Sequence, residues 1–187
     1  MDYTERCLSS EAVYRGRIIY VHRDEVGLSD GSTGVREIVE HSGGVAVLPL
    51  EEDGRVWCVR QYRYAMGCHL LELPAGKLND GEDPLECAVR ELGEETGFTA
   101  EQYTYLGAVY PSPGYCRETL HLYLAAGLKP GQAHPDEGEF LDLECHTLEE
   151  LTALVMDGSI ADAKTAMAVL KTKLLLDGKE KPWQKPY

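Results

Sequence analysis

Apolar and polar positions alternate with a period near two over residues 12–26, where Val, Ile and Tyr are interleaved with charges, and the Gly31-Ser32-Thr33-Gly34 turn leads into 35–40. This alternation predicts an N-terminal antiparallel hairpin or small sheet. Gly43-Gly44 precedes the apolar run 45–50, the Glu51-Glu52-Asp53-Gly54 turn follows, and 55–62 reads as the return strand. Further strands are expected near 70–73, 103–109 and 119–125, with a Gly-rich loop and a helix over 84–96 between the first two of them. Asp83 stands at the N-cap of that helix, Pro84 at its first position, and Gly97 just past its end. Leu85, Ala88, Val89, Leu92 and Thr96 recur at helical spacing and form the expected packing face, while Glu91, Glu94 and Glu95 emerge together on the other side.

The C-terminal part reads as helical. Thr147 to Glu150 is a capping box, Leu148, Leu151, Leu154 and Val155 give an apolar stripe, and Gly158 stops it. Asp162 caps a second helix with Ala166, Val169, Leu170 and Leu174 on one face and Gly178 at its end. Strands, a helix, more strands and terminal helices predict an α/β fold, a mixed sheet with helices on both faces. The expected organisation is an N-terminal strand region over 1–40, a main domain over 41–178, and a basic, Pro-interrupted tail over 179–187 that is loosely held.

Composition adds limits. The chain has 187 residues, 43% hydrophobic and 27% charged, the balance of a globular domain of ordinary size. With 18 Lys+Arg against 32 Asp+Glu the net charge is −14, which argues against binding nucleic acid or an anionic membrane. The excess is local: residues 72–101 hold nine acids against Lys77 and Arg90, and 136–150 hold seven acids with no Lys or Arg. No apolar segment suggests a signal peptide or membrane span, so a cytoplasmic location is expected. The six cysteines show neither CxxC pairs nor zinc spacing with His and are expected to be reduced and mostly buried.

Glu91, Glu94 and Glu95 within one helical turn repel one another unless a cation neutralises them, and hard oxygen ligands suit Mg²⁺ or Mn²⁺. The alternative for a bare E-x-x-E-E is a solvated acidic face, and the helix alone does not decide. The wider spacing does: Gly76, five residues, Glu82, seven residues, then Arg90-Glu91-Leu92-Gly93-Glu94-Glu95-Thr96-Gly97-Phe98 resembles the Nudix box G-x5-E-x7-R-E-U-x-E-E-x-G-U, with U apolar and every fixed position met. Flanking segments, RQYRYAMG and LLELPAGK upstream and Tyr110-Pro111-Ser112-Pro113-Gly114 downstream, are similar to the ADP-ribose pyrophosphatase group of that family.

The resemblance implies a Nudix α/β/α sandwich and a hydrolase of nucleoside diphosphate sugars. It assigns Glu91, Glu95, Glu94 and the carbonyl of Ala75 to Mg²⁺, with Mn²⁺ able to substitute, and it gives Gly76, Glu82, Arg90 and Gly97 the support of the box. Glu137 or Glu139, in the second acidic window, would be the general base. Arg36, Arg63, Ser112, Gly114 and Glu118 would contact substrate. ADP-ribose is the implied substrate, with GDP-mannose or ADP-glucose as alternatives and a non-catalytic ADP-ribose sensor as a further one. Relatives of this kind are usually homodimers whose N-terminal strands cross to the partner, and a homodimer is expected here.

Overall fold

The computed structural model describes residues 2–136 and 138–178. Two compact units divide the chain: the first runs to Gly43 and takes in Tyr110–Thr119, and the second comprises Gly44–Val109 and the chain from Leu120 on.

The first unit is a meander of three antiparallel strands, β1 (Arg6–Arg15), β2 (Tyr20–Gly27) and β3 (Thr33–Glu40), in that order. Sequence alternation over 12–26 concealed a reversal. The chain turns after Arg15, with the Gly16 amide donating to the Ile19 carbonyl at 2.9 Å, so one expected strand is two. Alternation continues through a tight turn and so does not reveal it. His22 ties the sheet together: Nδ1 faces Asp24 Oδ1 at 2.8 Å and Nε2 faces Glu40 Oε1 at 3.0 Å. Glu40 also accepts from Arg117 Nη1 at 2.8 Å.

The second unit is built on β4 (Gly44–Leu50), β5 (Arg55–Arg63), β6 (Cys68–Glu72), β7 (Ala75–Lys77), β8 (Thr99–Val109), β9 (Leu120–Lys129) and β10 (Leu141–Thr147). The strand order is β10-β5-β4-β9-β8, with β6 on β5 and β7 on β4. β4 and β9 run parallel and the other pairs antiparallel, which makes the sheet mixed. Helix α1 (Pro84–Thr96) packs on one face. Alternate residues of β4, Val45 and Val47, join Cys87, Ala88 and Leu92 there. Ala46 and Leu48 point to the other face and meet Leu148 and Leu151 of α2 (Leu148–Met156) and Ala168 and Val169 of α3 (Ala163–Leu176). The expected α/β/α layering is therefore present. The capping box of α2 and the Asp162 cap of α3 also form as expected.

Three expectations need correction. The buried side of α1 is Cys87, Ala88, Glu91, Leu92, Glu95 and Thr96, whereas Leu85 and Val89 are exposed. The helix is rolled so that two glutamates lie against β7. Likewise α3 buries Thr165, Ala168, Val169 and Thr172, and leaves Leu174 exposed. All six cysteines are free, but only Cys58 and Cys87 are buried, because the others lie on outer strands or loops. The tail over 179–187 lies outside the described residues. Among the described residues no helix is long and apolar enough to cross a membrane.

Candidate active site

The loop and helix from Ala75 to Gly97 are fixed at both ends by local chemistry. Asp83 Oδ1 accepts from the Leu85 amide at 2.8 Å at the start of α1, and Gly97, left-handed at φ 76°, closes its end with its amide on the Gly93 carbonyl at 2.9 Å. Between them Arg90 staples helix to loop. Its Nε and Nη2 hold the two oxygens of Glu82 at 2.8 and 3.0 Å, Nη2 reaches the Lys77 carbonyl at 3.2 Å, and the Asn79 amide holds Glu82 from the loop side at 2.8 Å. The Arg90 guanidinium beside Glu82 holds its carboxyl down to about 2.

The same guanidinium reaches the acidic cluster, with Nη1 at 2.6 Å from Glu91 Oε1 and 2.9 Å from Glu94 Oε2. Glu91 lies directly over Gly76: a Cβ on Gly76 would stand 1.9 Å from the Glu91 carboxyl. Glu95 sits beside it, 4% exposed, and its Oε2 accepts from the Ala75 amide at 3.0 Å. Burial pushes the Glu95 carboxyl up to about 8; the Ala75 amide opposes this, and the negative charges of Glu91 and Glu139 add to it. Burial also raises Glu91, although Arg90 pulls the other way.

The loop after β9 comes onto the end of α1. The His134 amide donates to the Glu94 carbonyl at 2.8 Å. Glu139 is tied into its own turn, with its amide on the Asp136 carbonyl at 3.0 Å and its Oε2 accepting from the Asp136 amide at 3.3 Å. Glu137 lies outside the described residues.

The remaining residues singled out in the sequence fall in both units. Arg63 commits Nε and Nη2 to the two oxygens of Glu72 at 2.7 and 2.8 Å, yet stays 41% exposed. Burial alone would raise the carboxyl of Glu72, which is 1% exposed, but the cations Arg63 and Lys164 outweigh it and hold it low. Arg36 forks onto Glu5, and Glu118 lies 3.6 Å from His41 Nδ1. The Ser112 carbonyl accepts from the Cys116 amide at 2.9 Å, and a side chain at Gly114 would meet nothing within 4 Å. Arg36, Ser112, Gly114 and Glu118 belong to the first unit; the second unit gathers Ala75, Gly76, Glu82, Arg90, Glu91, Glu94, Glu95, Gly97 and Glu139.

Sequence reasoning missed the group behind Arg63. Lys164 donates to Glu72 and, at 3.0 Å, to Asp162; Asp162 also accepts from Thr165 Oγ1 at 2.6 Å, and that hydroxyl takes the Leu73 amide at 3.0 Å. The available signal was Glu72 itself, an acid set inside the apolar run Leu70-Leu71-Glu72-Leu73.

Among the described residues no three carboxylate, imidazole or thiolate groups stand ready-made around one point for a metal ion. Glu91 and Glu94 each give an oxygen to Arg90, and Glu95 gives one to Ala75. The donor chemistry nevertheless fits a hard divalent cation: Glu82, Glu91 and Glu94 share one guanidinium, and Glu95 is buried with only an amide partner beside the charges of Glu91 and Glu139.

A loop and helix carrying this set, laid against a mixed sheet covered on both faces, define one class of hydrolase. The chain belongs to the Nudix family: the NUDIX domain model matches residues 40–168, and a model described as the nucleoside diphosphate sugar hydrolase N-terminal domain matches 5–39. It is 41% identical over 169 residues to the methanol dehydrogenase activator of Bacillus methanolicus, covering 89% of this chain and 91% of that one. It is 40% identical over 167 residues to the ADP-ribose pyrophosphatase of Bacillus subtilis (strain 168), covering 88% and 90%. A crystal structure of an ADP compounds hydrolase matches with a TM-score of 0.83 at 26% identity, covering 95% of this chain and 96% of that one.

Proposed function

We propose that this Nudix hydrolase cleaves the pyrophosphate of ADP-ribose to AMP and ribose 5-phosphate, as a Mg²⁺-dependent cytoplasmic homodimer in which Mn²⁺ can substitute. The observation that carries the reading is the gathering of Glu91 and Glu95 over Gly76 and Ala75, with Glu94 on the same guanidinium as Glu91. Similarity to the ADP-ribose pyrophosphatase of Bacillus subtilis supports the substrate.

In this reading Glu91, Glu94, Glu95 and the Ala75 carbonyl hold Mg²⁺, which would screen the pyrophosphate oxygens and acidify a bound water. Glu139 or Glu137 takes the proton of the attacking water as a phosphorus–oxygen bond of the anhydride breaks. Arg90 and Glu82 hold the helix against the loop so that these carboxylates keep their places. Arg36, Arg63, Ser112, Gly114 and Glu118 contact the substrate, the arginines through its phosphates.

The test is a panel of ADP-ribose, ADP-glucose and GDP-mannose with Mg²⁺, following release of nucleoside monophosphate and sugar phosphate. Turnover of ADP-ribose above the others is expected. Preference for GDP-mannose would overturn the substrate alone, and no turnover of any of them would overturn the enzyme reading. Glu95→Gln is expected to lower kcat by orders of magnitude without unfolding the chain.

A further inference from the structure

We infer that Gly131 is a positioning residue for the reaction: its lack of a side chain lets the loop after β9 lie backbone to backbone on the C-terminus of α1, and this seam ties the loop that carries the proposed base to the carboxylate helix. The inference rests on the reading that this loop supplies the general base.

Two glycines make the seam. A Cβ on Gly131 would stand 2.7 Å from the Gly97 carbonyl oxygen. In return, a Cβ on Gly97 would stand 2.6 Å from the Ala133 nitrogen, 2.8 Å from the Gln132 carbonyl carbon and 3.0 Å from the Gly131 oxygen. Every one of these neighbours is backbone, so no change of rotamer relieves the overlap and one of the two segments has to move. Gly97 is already required by its left-handed cap, but Gly131 has no positive φ to account for it. Close approach is what its position demands.

Three residues on, the His134 amide takes the Glu94 carbonyl at 2.8 Å. This carbonyl is one of the last of α1, which have no partner within the helix. Glu94 thus works twice: its side chain stands on Arg90 in the carboxylate cluster and its carbonyl holds the loop. From His134 the chain runs directly to the turn in which Glu139 is tied to Asp136. Because helix and loop share this seam, a shift there changes the spacing between the base and the cluster without touching either.

The experiment measures kcat and KM for ADP-ribose with Mg²⁺ in wild type, Gly131→Ala and Gly131→Val, in Glu137→Gln and Glu139→Gln, and in the double variants. Gly131→Ala is expected to lower kcat about 10- to 100-fold, the scale on which misplacement by an ångström acts, with KM changed less than about threefold. Gly131→Val is expected to lower it further. Added to whichever Glu→Gln variant loses kcat, Gly131→Ala should cost nothing more, because the group it positions is gone. Wild-type kcat in Gly131→Ala, or losses that multiply in the double variant, would overturn the inference, as would full kcat in both Glu→Gln variants. A wild type inactive on every nucleoside diphosphate sugar would instead reject the functional reading. Should Gly131→Ala fail to fold by circular dichroism, His134→Pro breaks the same seam by removing the amide and carries the same expectations.

Discussion

Gly76→Ala adds one methyl group where the structure has least room. The new Cβ would lie 1.9 Å from Cδ and Oε1 of Glu91, and restoring an ordinary contact of 3.4 Å requires a retreat of about 1.5 Å. Glu91 is 8% exposed, one of its oxygens is on Arg90, and its helix is packed on β4, so the displacement falls on the carboxylate or on the β7–α1 spacing. Overpacking of this kind costs about 1–3 kcal/mol. Against it stands a gain of about 0.4–1 kcal/mol from the stiffer unfolded chain, since φ of Gly76 is not positive. The net loss should lower Tm by several degrees, at about 2–4 °C per kcal/mol for a chain of this size. Activity should fall further, by about 10²-fold, because a proposed metal ligand moves by more than an ångström. Gly93→Ala is the control. It lies in the same box and in the interior of α1, but its Cβ would meet nothing nearer than the Phe98 carbonyl at 3.9 Å. That variant should gain up to about 1 kcal/mol of helix stability and keep its activity. Thermal unfolding and steady-state hydrolysis of ADP-ribose read both. Wild-type kcat in Gly76→Ala, or equal damage in Gly93→Ala, would refute the reasoning.

Further predictions concern the cation, the ion pairs and pH. Mg²⁺ should raise the unfolding temperature of the wild type in proportion to the logarithm of its concentration above Kd, and Glu95→Gln should abolish most of the shift; an equal shift in the variant would remove Glu95 from the metal site. Lys164→Met strips a cation from Glu72, which is 1% exposed, and should destabilise by about 2–4 kcal/mol in a denaturant titration; adding Glu72→Gln should recover part of the loss. Asp24 first, then Glu40, raise the pKa of His22 above its ordinary 6.5. The stabilisation it gives is therefore complete below about 6.5 and lost as pH rises through the folded value. An NMR titration placing the His22 pKa at or below 6.5 would contradict this.

Helix α1 shows what the sequence could and could not say. Its ends were legible because Asp83, Pro84 and Gly97 act within a few residues of themselves. Its facing was not. Periodicity counts leucine and valine as inward and glutamate as outward, whereas here Leu85 and Val89 are exposed and Glu91 and Glu95 are buried. The cause is a three-residue strand, β7, too short to leave a periodic trace, whose Gly76 and Ala75 receive those two carboxylates. β10 escaped for a related reason. Its Asp142 and Glu144 look like loop charges until Asp142 is seen opposite Arg60 of β5 and Glu144 hydrogen-bonded to it. Lys164 meets Glu72 across 92 positions of sequence, a pairing that only the fold creates. The box itself was legible because its spacing is set by one loop and one helix.

The acidic excess of residues 72–101 can now be divided by partner. Glu72 is met by Arg63 and Lys164, both from outside the window, and Glu101 by Lys129. Asp83 caps a helix. Glu82, Glu91 and Glu94 have a single guanidinium among them, and Glu95 has an amide. Asp80, Asp83 and Glu86 are exposed, so the negative charge that is both short of protein cations and withdrawn from water is concentrated at the Glu91–Glu94–Glu95 edge of α1. A solvated acidic face would keep such carboxylates in water, where repulsion is weak. Here two of them are buried, and burial strengthens the repulsion between them. The fold has placed two undercompensated carboxylates where water does least to relieve them, an arrangement that favours a divalent cation over a solvent-screened surface.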